Sequence, residues 1–336
     1  MTPQNPSHHT SGPSQTREIL FLLSGESTTV PASEASALLR MQDESAVVNL
    51  AEARVLTAST VADPDLISNR IAFSRRVGVI VPDGALEAED LRLLRKGTYR
   101  VTVFDLRGGS DHGPIVSEIA EKVGGRVSLE NPDIEVTVVR GDRDYLALTR
   151  PSLMNQSWVA RRPRKRPFFH PAAIFPKLSR ALVNLSRVRS GEIFLDPFCG
   201  TGSLLLEAYE IGAVPVGTDI DARMVRGAHR NMAAFRQGWL GLVRADARSA
   251  PLRSADAMAT DVPYGRASTT SGSDTRQIID SLLANASIIL RSGHRLVLMH
   301  PRSDKVEGDG EFDLQEEHQL YIHRKLTRTI SVLRRV

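Results

Sequence analysis

The stretch Ile193-Phe194-Leu195-Asp196-Pro197-Phe198-Cys199-Gly200-Thr201-Gly202 decides the fold. It reads as a short apolar strand that ends in an acid, followed by a Gly-x-Gly turn and a helix. In an open parallel sheet, ligands bind beyond the carboxyl ends of the strands, where such a turn lies. The two glycines let the backbone approach a ligand closely, and Asp196 offers its carboxylate to a positively charged amino group. A third glycine three residues on would complete a dinucleotide fingerprint, but that position is Leu205. This departure counts against a nicotinamide or flavin enzyme.

Downstream, strand and helix patterns alternate over residues 203–211, 214–218, 222–235, 242–245, 256–260, 275–290 and 295–300. Strict alternation predicts a parallel, doubly wound sheet. Pro215 is awkward inside a central strand and is assigned to a strand's start. The last two apolar runs, 320–322 and 329–333, have no helix between them, so they are expected to pair antiparallel. A mixed, mostly parallel seven-stranded Rossmann-like sheet results.

Two further strands of this sheet also end in acids. Gly217-Thr218-Asp219 places a carboxylate at the spacing expected for gripping ribose hydroxyls, and Ala245-Asp246-Ala247 places one within reach of an adenine amino group. Packing alone does not explain three successive strands that end in Asp.

A fourth strand runs into Thr260-Asp261-Val262-Pro263-Tyr264-Gly265-Arg266. An exocyclic amino group on a nucleic-acid base is a poor nucleophile, because its lone pair is delocalised into the ring. Attack on a sulfonium methyl becomes easier when acceptors hold both amino hydrogens and keep the nitrogen in line. Asp261 supplies one acceptor and the Val262 carbonyl the other, with rigid Pro263 aiming the turn and Tyr264 stacking on an extruded base. Asp261, Val262, Pro263 and Tyr264 are therefore the catalytic candidates. Cys199 lies inside the cofactor loop, a place that suits packing rather than attack on a pyrimidine.

The chain has 336 residues, a length that predicts two domains. No apolar run approaches the roughly 20 residues that span a bilayer, and no secretory signal pattern opens the chain, so a cytoplasmic protein is expected. One cysteine excludes an internal disulfide or a multi-cysteine zinc cluster, and no metal is expected. Net charge is only +4, although Lys96, Lys122, Lys165, Lys177, Lys305 and Lys325 are the only lysines among 43 basic positions. Arginine suits bidentate phosphate contacts, but charge alone says little about the partner.

Residues 1–16 are rich in Ser, Thr, Pro and His, and read as a disordered tail. Residues 17–150 read as a mixed α/β unit with strands near 19–23, 46–50, 53–58, 77–81, 99–105 and 134–139 and helices near 31–40, 88–95 and 114–123. It carries no catalytic constellation. Residues 151–170 form a basic linker in which Arg161, Arg162, Arg164, Lys165 and Arg166 alternate with prolines. Such a run is either a solvated connector or a strap that contacts phosphates.

At this point the residues resemble a known family. The cofactor turn, the segment Phe169-His170-Pro171 with residues 176–185, and the Asp261 turn are together similar to the archaeal tRNA (guanine-10 N2)-methyltransferases. In that family an amino-terminal THUMP RNA-binding domain, ferredoxin-like in part, precedes a Rossmann-like S-adenosylmethionine-dependent methyltransferase domain, matching residues 17–150 and 171–336 here. The segments 21–26 and 127–133 resemble the THUMP half, more diffusely.

The resemblance implies S-adenosylmethionine as cofactor, tRNA as substrate, and one or two methyl groups placed on N2 of guanosine 10. It also implies a monomer, compatible with a small activating subunit. The strand ends and the resemblance together nominate Asp196, Phe198, Gly200, Thr201, Gly202, Asp219, Ile220, Asp246, Ala247 and Asp261 for the cofactor. Arg161, Arg162, Arg164, Lys165, Arg166 and Arg266 are nominated for the substrate. The family's motif reads Asp-Pro-Pro-Tyr, so Val262 is a departure. A Ser/Thr/Gly-rich loop, residues 268–274, is expected to order over the bound base. Competing readings are a guanine N2-methyltransferase for another tRNA position or for ribosomal RNA, a DNA adenine N6-methyltransferase, a catalytically silent RNA-binding homologue, and a nucleotide-dependent oxidoreductase.

Overall fold

The computed structural model describes residues 16–52, 54–82, 85–109, 111–151, 158–235, 241–263, 275–308, 310–323 and 326–336. The expected tail, Tyr264, Arg266 and the 268–274 loop lie outside the described residues, Thr16 apart.

Strand β1 (Arg17–Leu23) is buried from Ile19 onward, which explains why it reads as a continuous apolar run rather than an alternating one. Pro31 opens helix α1 (Val30–Gln42), whose Ala35, Leu38 and Leu39 pack on Ile19 and Phe21. Strands β2 (Val47–Glu52) and β3 (Val55–Thr60), helix α2 (Pro64–Ser68) and strand β4 (Ser74–Ile80) complete the first part of this unit. Its second part comprises α3 (Ala88–Lys96), β5 (Thr98–Asp105), α4 (Gly113–Val123), β6 (Arg126–Val127), β7 (Ile134–Arg140) and β8 (Asp144–Thr149).

One sheet runs through both parts in the order β2-β3-β1-β4-β8-β7-β5-β6. The β4–β8 pairing joins them, with Gly78 opposite Thr149. A Cβ at Gly78 would lie 2.4 Å from the Leu148 carbonyl oxygen, so a side chain there would force the strands apart.

Helix α5 (Pro176–Leu185) leads into the second unit, β9 (Ile193–Asp196), α6 (Ser203–Glu210), β10 (Val214–Asp219), α7 (Ala222–Phe235), β11 (Gly241–Arg244), β12 (Ala255–Asp261), α8 (Thr275–Ile289), β13 (Leu290–Pro301), β14 (Phe312–His323) and β15 (Leu326–Arg335). The seven strands run β11-β10-β9-β12-β13-β15-β14. They are parallel from β11 to β13, and β15 is antiparallel to both neighbours, as the absence of a helix before it predicts. Strand order reverses between β9 and β12. Asp196 and Asp261 therefore end adjacent strands at the switch point, where the connections splay apart and leave a crevice.

The two units share a core. Val30, Ala37, Ala72 and Phe73 of the first belong to one apolar cluster with Ala181, Leu182 and Leu185 of the second. A polar knot lies beside it. Buried Glu34 accepts the Ala72 and Phe73 N–H groups at 2.9 and 2.7 Å and the Asn184 side-chain amide at 2.6 Å. Arg70 donates from Nε to Asn184 Oδ1 (2.7 Å) and from Nη2 to the Val188 carbonyl (2.7 Å).

The basic segment divides in two: Arg162, Arg164 and Lys165 face water, whereas Arg161 and Arg166 are buried, at 6% and 5% exposure. Glu207 on α6 takes the guanidinium groups of Arg161 and Arg180, each at 2.8 Å, and both stack on the Trp158 ring at 5.3 and 5.6 Å. Arg166 donates to the Ser203 hydroxyl (2.6 Å) at the start of α6. These two arginines fasten the segment to the second unit, because a buried guanidinium must be paired.

Candidate active site

The carboxyl ends of β9, β10 and β12 border a cavity of about 600 Å³. Of the ten cofactor candidates, Asp196, Phe198, Gly200, Thr201, Asp219, Ile220, Asp246, Ala247 and Asp261 line it, as do Val262 and Pro263. Gly202 lies behind the lining. Its φ of 79° turns the chain into α6, and a Cβ there would touch Ala228 at 3.4 Å.

Asp196 is 1% exposed. Its Oδ1 accepts from the Thr260 hydroxyl (2.6 Å) and the Phe198 N–H (3.2 Å). Burial, helped by the neighbouring Asp219 and Asp261 carboxylates, raises its pKa to about 7. Asp219 ties the first two strand ends together, accepting the Gly200 and Asp221 N–H groups at 2.9 Å each. Burial raises its pKa as well. Asp246 caps the 3₁₀ turn Ala247–Ser249 and pairs with Arg248 at 2.6 Å, a contact that holds its carboxyl below the usual range.

Asp261 is paired with Arg328, a residue that sequence reasoning missed. Arg328 comes from β15, is 2% exposed, and also donates to the Met299 carbonyl at 3.0 Å and lies 3.5 Å from the Val262 carbonyl. Burial raises the Asp261 pKa to about 6, and Arg328 opposes that rise. An arginine near the start of a closing strand gives no sign in sequence that it folds inward.

Val262 is fully buried among Ile278, Ile279 and Leu298, and its N–H donates to the Met299 carbonyl at 2.9 Å. Proline has no N–H, so valine here keeps a β12–β13 bond that the family's usual proline forgoes. Cys199 is buried and its thiol pushed well up by burial, in keeping with a packing role.

The cavity is also lined by residues that sequence reasoning missed, among them the whole segment 170–174, which forms one wall, and Asp221, Arg223, Met224, Arg248 and Ile278. Asn231 on α7 holds the 170–174 wall through the Phe168 backbone, accepting its N–H at 2.9 Å and donating to its carbonyl at 3.0 Å. It also donates to the Thr201 carbonyl at 2.9 Å. The Phe169-His170-Pro171 motif was the available signal. Among the substrate candidates, Arg162, Arg164 and Lys165 are exposed, whereas Arg161 and Arg166 are withdrawn into ion pairs and hydrogen bonds.

The donor set fits S-adenosylmethionine. Among the described residues, Asp196 has hydrogen-bond partners but no paired cation, a position suited to a cationic amino acid group. Asp219 and Asp246 line the same cavity. No group of His, Cys, Asp or Glu among the described residues has the arrangement to hold a metal ion, and no described helix is long and apolar enough to cross a membrane.

The RMKL-like methyltransferase domain model matches residues 163–330. The tRNA (guanine(10)-N2)-dimethyltransferase of Methanothermobacter thermautotrophicus is 32% identical over 336 residues, covering 95% of this chain and 100% of that protein. The protein of the same name from Methanocaldococcus jannaschii is 32% identical over 253 residues, covering 72% and 69%. Among solved structures, TrmN from Thermus thermophilus superposes with a TM-score of 0.51 at 21% identity, covering 95% of this chain and 100% of that one, a likeness of fold. A match that spans both units, together with strand-end acids at the cavity, has one consequence: the chain belongs to the family of tRNA (guanine(10)-N2)-dimethyltransferases.

Proposed function

We propose that this protein methylates the N2 amino group of guanosine 10 in tRNA, once or twice. The observation that carries the reading is the pairing of Asp261 and the Val262 carbonyl at the end of β12, beside the cavity whose acids fit the cofactor. S-adenosylmethionine supplies an electrophilic methyl group on a sulfonium when bound. Asp196 holds its amino group, Asp219 its ribose and Asp246 its adenine. Asp261 accepts one hydrogen of the guanine amino group and the Val262 carbonyl the other, which fixes the nitrogen for in-line attack. Asp261 receives the proton as the nitrogen becomes cationic, and Tyr264 stacks on the base.

The amino-terminal unit, residues 17–150, binds the body of the tRNA. The enzyme works in the cytoplasm as a monomer without a metal, alone or with a small activating subunit.

Incubating the protein with labelled S-adenosylmethionine and unmodified tRNA transcripts, then identifying the nucleoside, tests the proposal. Label in N2-methylguanosine and N2,N2-dimethylguanosine is expected, and it should vanish from transcripts that carry adenosine at position 10. Label confined to adenine, or unchanged by that replacement, would refute it. Asp261→Ala is expected to lower kcat at least ~100-fold, and an undiminished rate would remove Asp261 from the reaction centre.

A further inference from the structure

Among the described residues, Phe169, Phe175 and Tyr321 are the aromatic side chains in the exposed large apolar set, at 45%, 63% and 67% exposure. Two of the three bracket the segment 170–174 that lines the cavity. Phe169 precedes it and carries the Arg164 guanidinium over its ring at 5.8 Å, next to the exposed Arg162 and Lys165. Phe175 follows it as the residue before α5, directly after cavity-lining Ile174. Two positions further on, Lys177 pairs with Glu26 of the first unit and lies over Phe73 at 5.1 Å. The aromatic pair thus occupies the rim between the amino-terminal unit and the cavity, with the cations on one flank.

Packing accounts for neither ring, since each leaves about half its surface in water. Bases present flat π-faces and phosphates present charge, so exposed rings interleaved with arginine and lysine match a nucleic-acid strand in both respects. We infer that Phe169 and Phe175, with Arg162, Arg164 and Lys165, form an RNA-contacting lip that stacks unpaired nucleotides next to the target guanosine and guides that base into the cavity. The burial of Arg161 and Arg166 sharpens this surface: the residues that reach phosphate are the three left outside. The inference rests on the proposed tRNA reaction and names the substrate surface of the same site.

Phe175→Ala, Phe169→Ala and the double variant, all at exposed positions, would be compared with wild type for tRNA KM, kcat and S-adenosylmethionine affinity, with Phe175→Tyr and Phe175→Leu beside them. Stacking on an aromatic platform is worth enough per base that each alanine should raise KM for tRNA about 10-fold, and the double variant more. Cofactor affinity and melting temperature should be unchanged. Tyrosine should rescue Phe175, whereas leucine, which keeps apolar area without a π-face, should not.

Equal tRNA KM in wild type and the double variant overturns the lip, as does rescue by leucine. These outcomes are read on an enzyme that methylates tRNA. A wild-type protein that fails to label any transcript overturns the functional reading instead, and direct binding of labelled transcript to wild type and the double variant then tests the lip: equal affinity overturns it, weaker binding by the variant supports it.

Discussion

The proposed role of Asp261 requires it to be ionised, yet it sits where burial favours its neutral form. Its pKa of about 6, reached despite the Arg328 pair, sets the sign of the pH dependence. As pH falls through about 6 the carboxylate protonates, so kcat should fall by close to tenfold per unit below that point. Among the described residues, Arg328 on β15 is the charged group that bears on Asp261, and Asp261 in turn raises Asp196 at the end of β9. Removing the opposing cation with Arg328→Met should move the acid limb to higher pH, with Arg328→Lys intermediate, in rate profiles measured at saturating tRNA and cofactor. Identical limbs would show that Arg328 has no hold on Asp261. Asp196 follows the same sign. Its folded pKa of about 7 lies above the unfolded value, so its contribution to stability is complete below about pH 4 and is lost as pH rises through 7. A bound ammonium relieves that loss, and the thermal stabilisation given by S-adenosylmethionine should therefore grow between pH 6 and pH 8.

At the scale of elements, the 170–174 wall of the cavity depends on α7. Fully buried Asn231 satisfies both backbone groups of Phe168 and the Thr201 carbonyl, and so ties that wall and the cofactor turn to one helix. Gly227, one turn earlier, leaves room for the Phe168 ring, whose atoms would lie 2.0 to 2.5 Å from a Cβ there. Asn231→Ala strands buried backbone groups and should cost about 2–4 kcal/mol of stability. Because the lost bonds hold the cavity wall, cofactor affinity should weaken with it. Calorimetric melting and equilibrium binding check this, and an unaltered cofactor affinity would detach that wall from cofactor binding.

Across the whole molecule, the knot of Glu34, Arg70 and Asn184 makes the distance between the two units a fixed quantity. Burial raises the Glu34 pKa, a rise the Asn184 amide opposes, and lowers that of Arg70 to about 9, and Asn184 hydrogen-bonds both side chains. Asn184→Ala would remove that shared partner. A loss of about 2–4 kcal/mol is expected, together with a larger rise in KM for intact tRNA than for the cofactor, read from steady-state kinetics. Equal effects on both substrates would argue that the units need no fixed spacing.

By itself the sequence determined the doubly wound sheet, its strand-end acids Asp196, Asp219, Asp246 and Asp261, and the antiparallel closing strands. Each is a local pattern: apolar period, glycine at a turn, an acid at a strand's end. The tertiary structure alone decided what the basic segment does, since a run of arginines looks the same whether it faces water or Glu207. It also decided that β4 and β8 join the amino-terminal strands into one sheet, that the segment 170–174 forms one wall of the cavity, and that Arg328, 67 positions from Asp261, is the cation beside it. Contacts made across such separations depend on which strands become neighbours, and no local spacing encodes that.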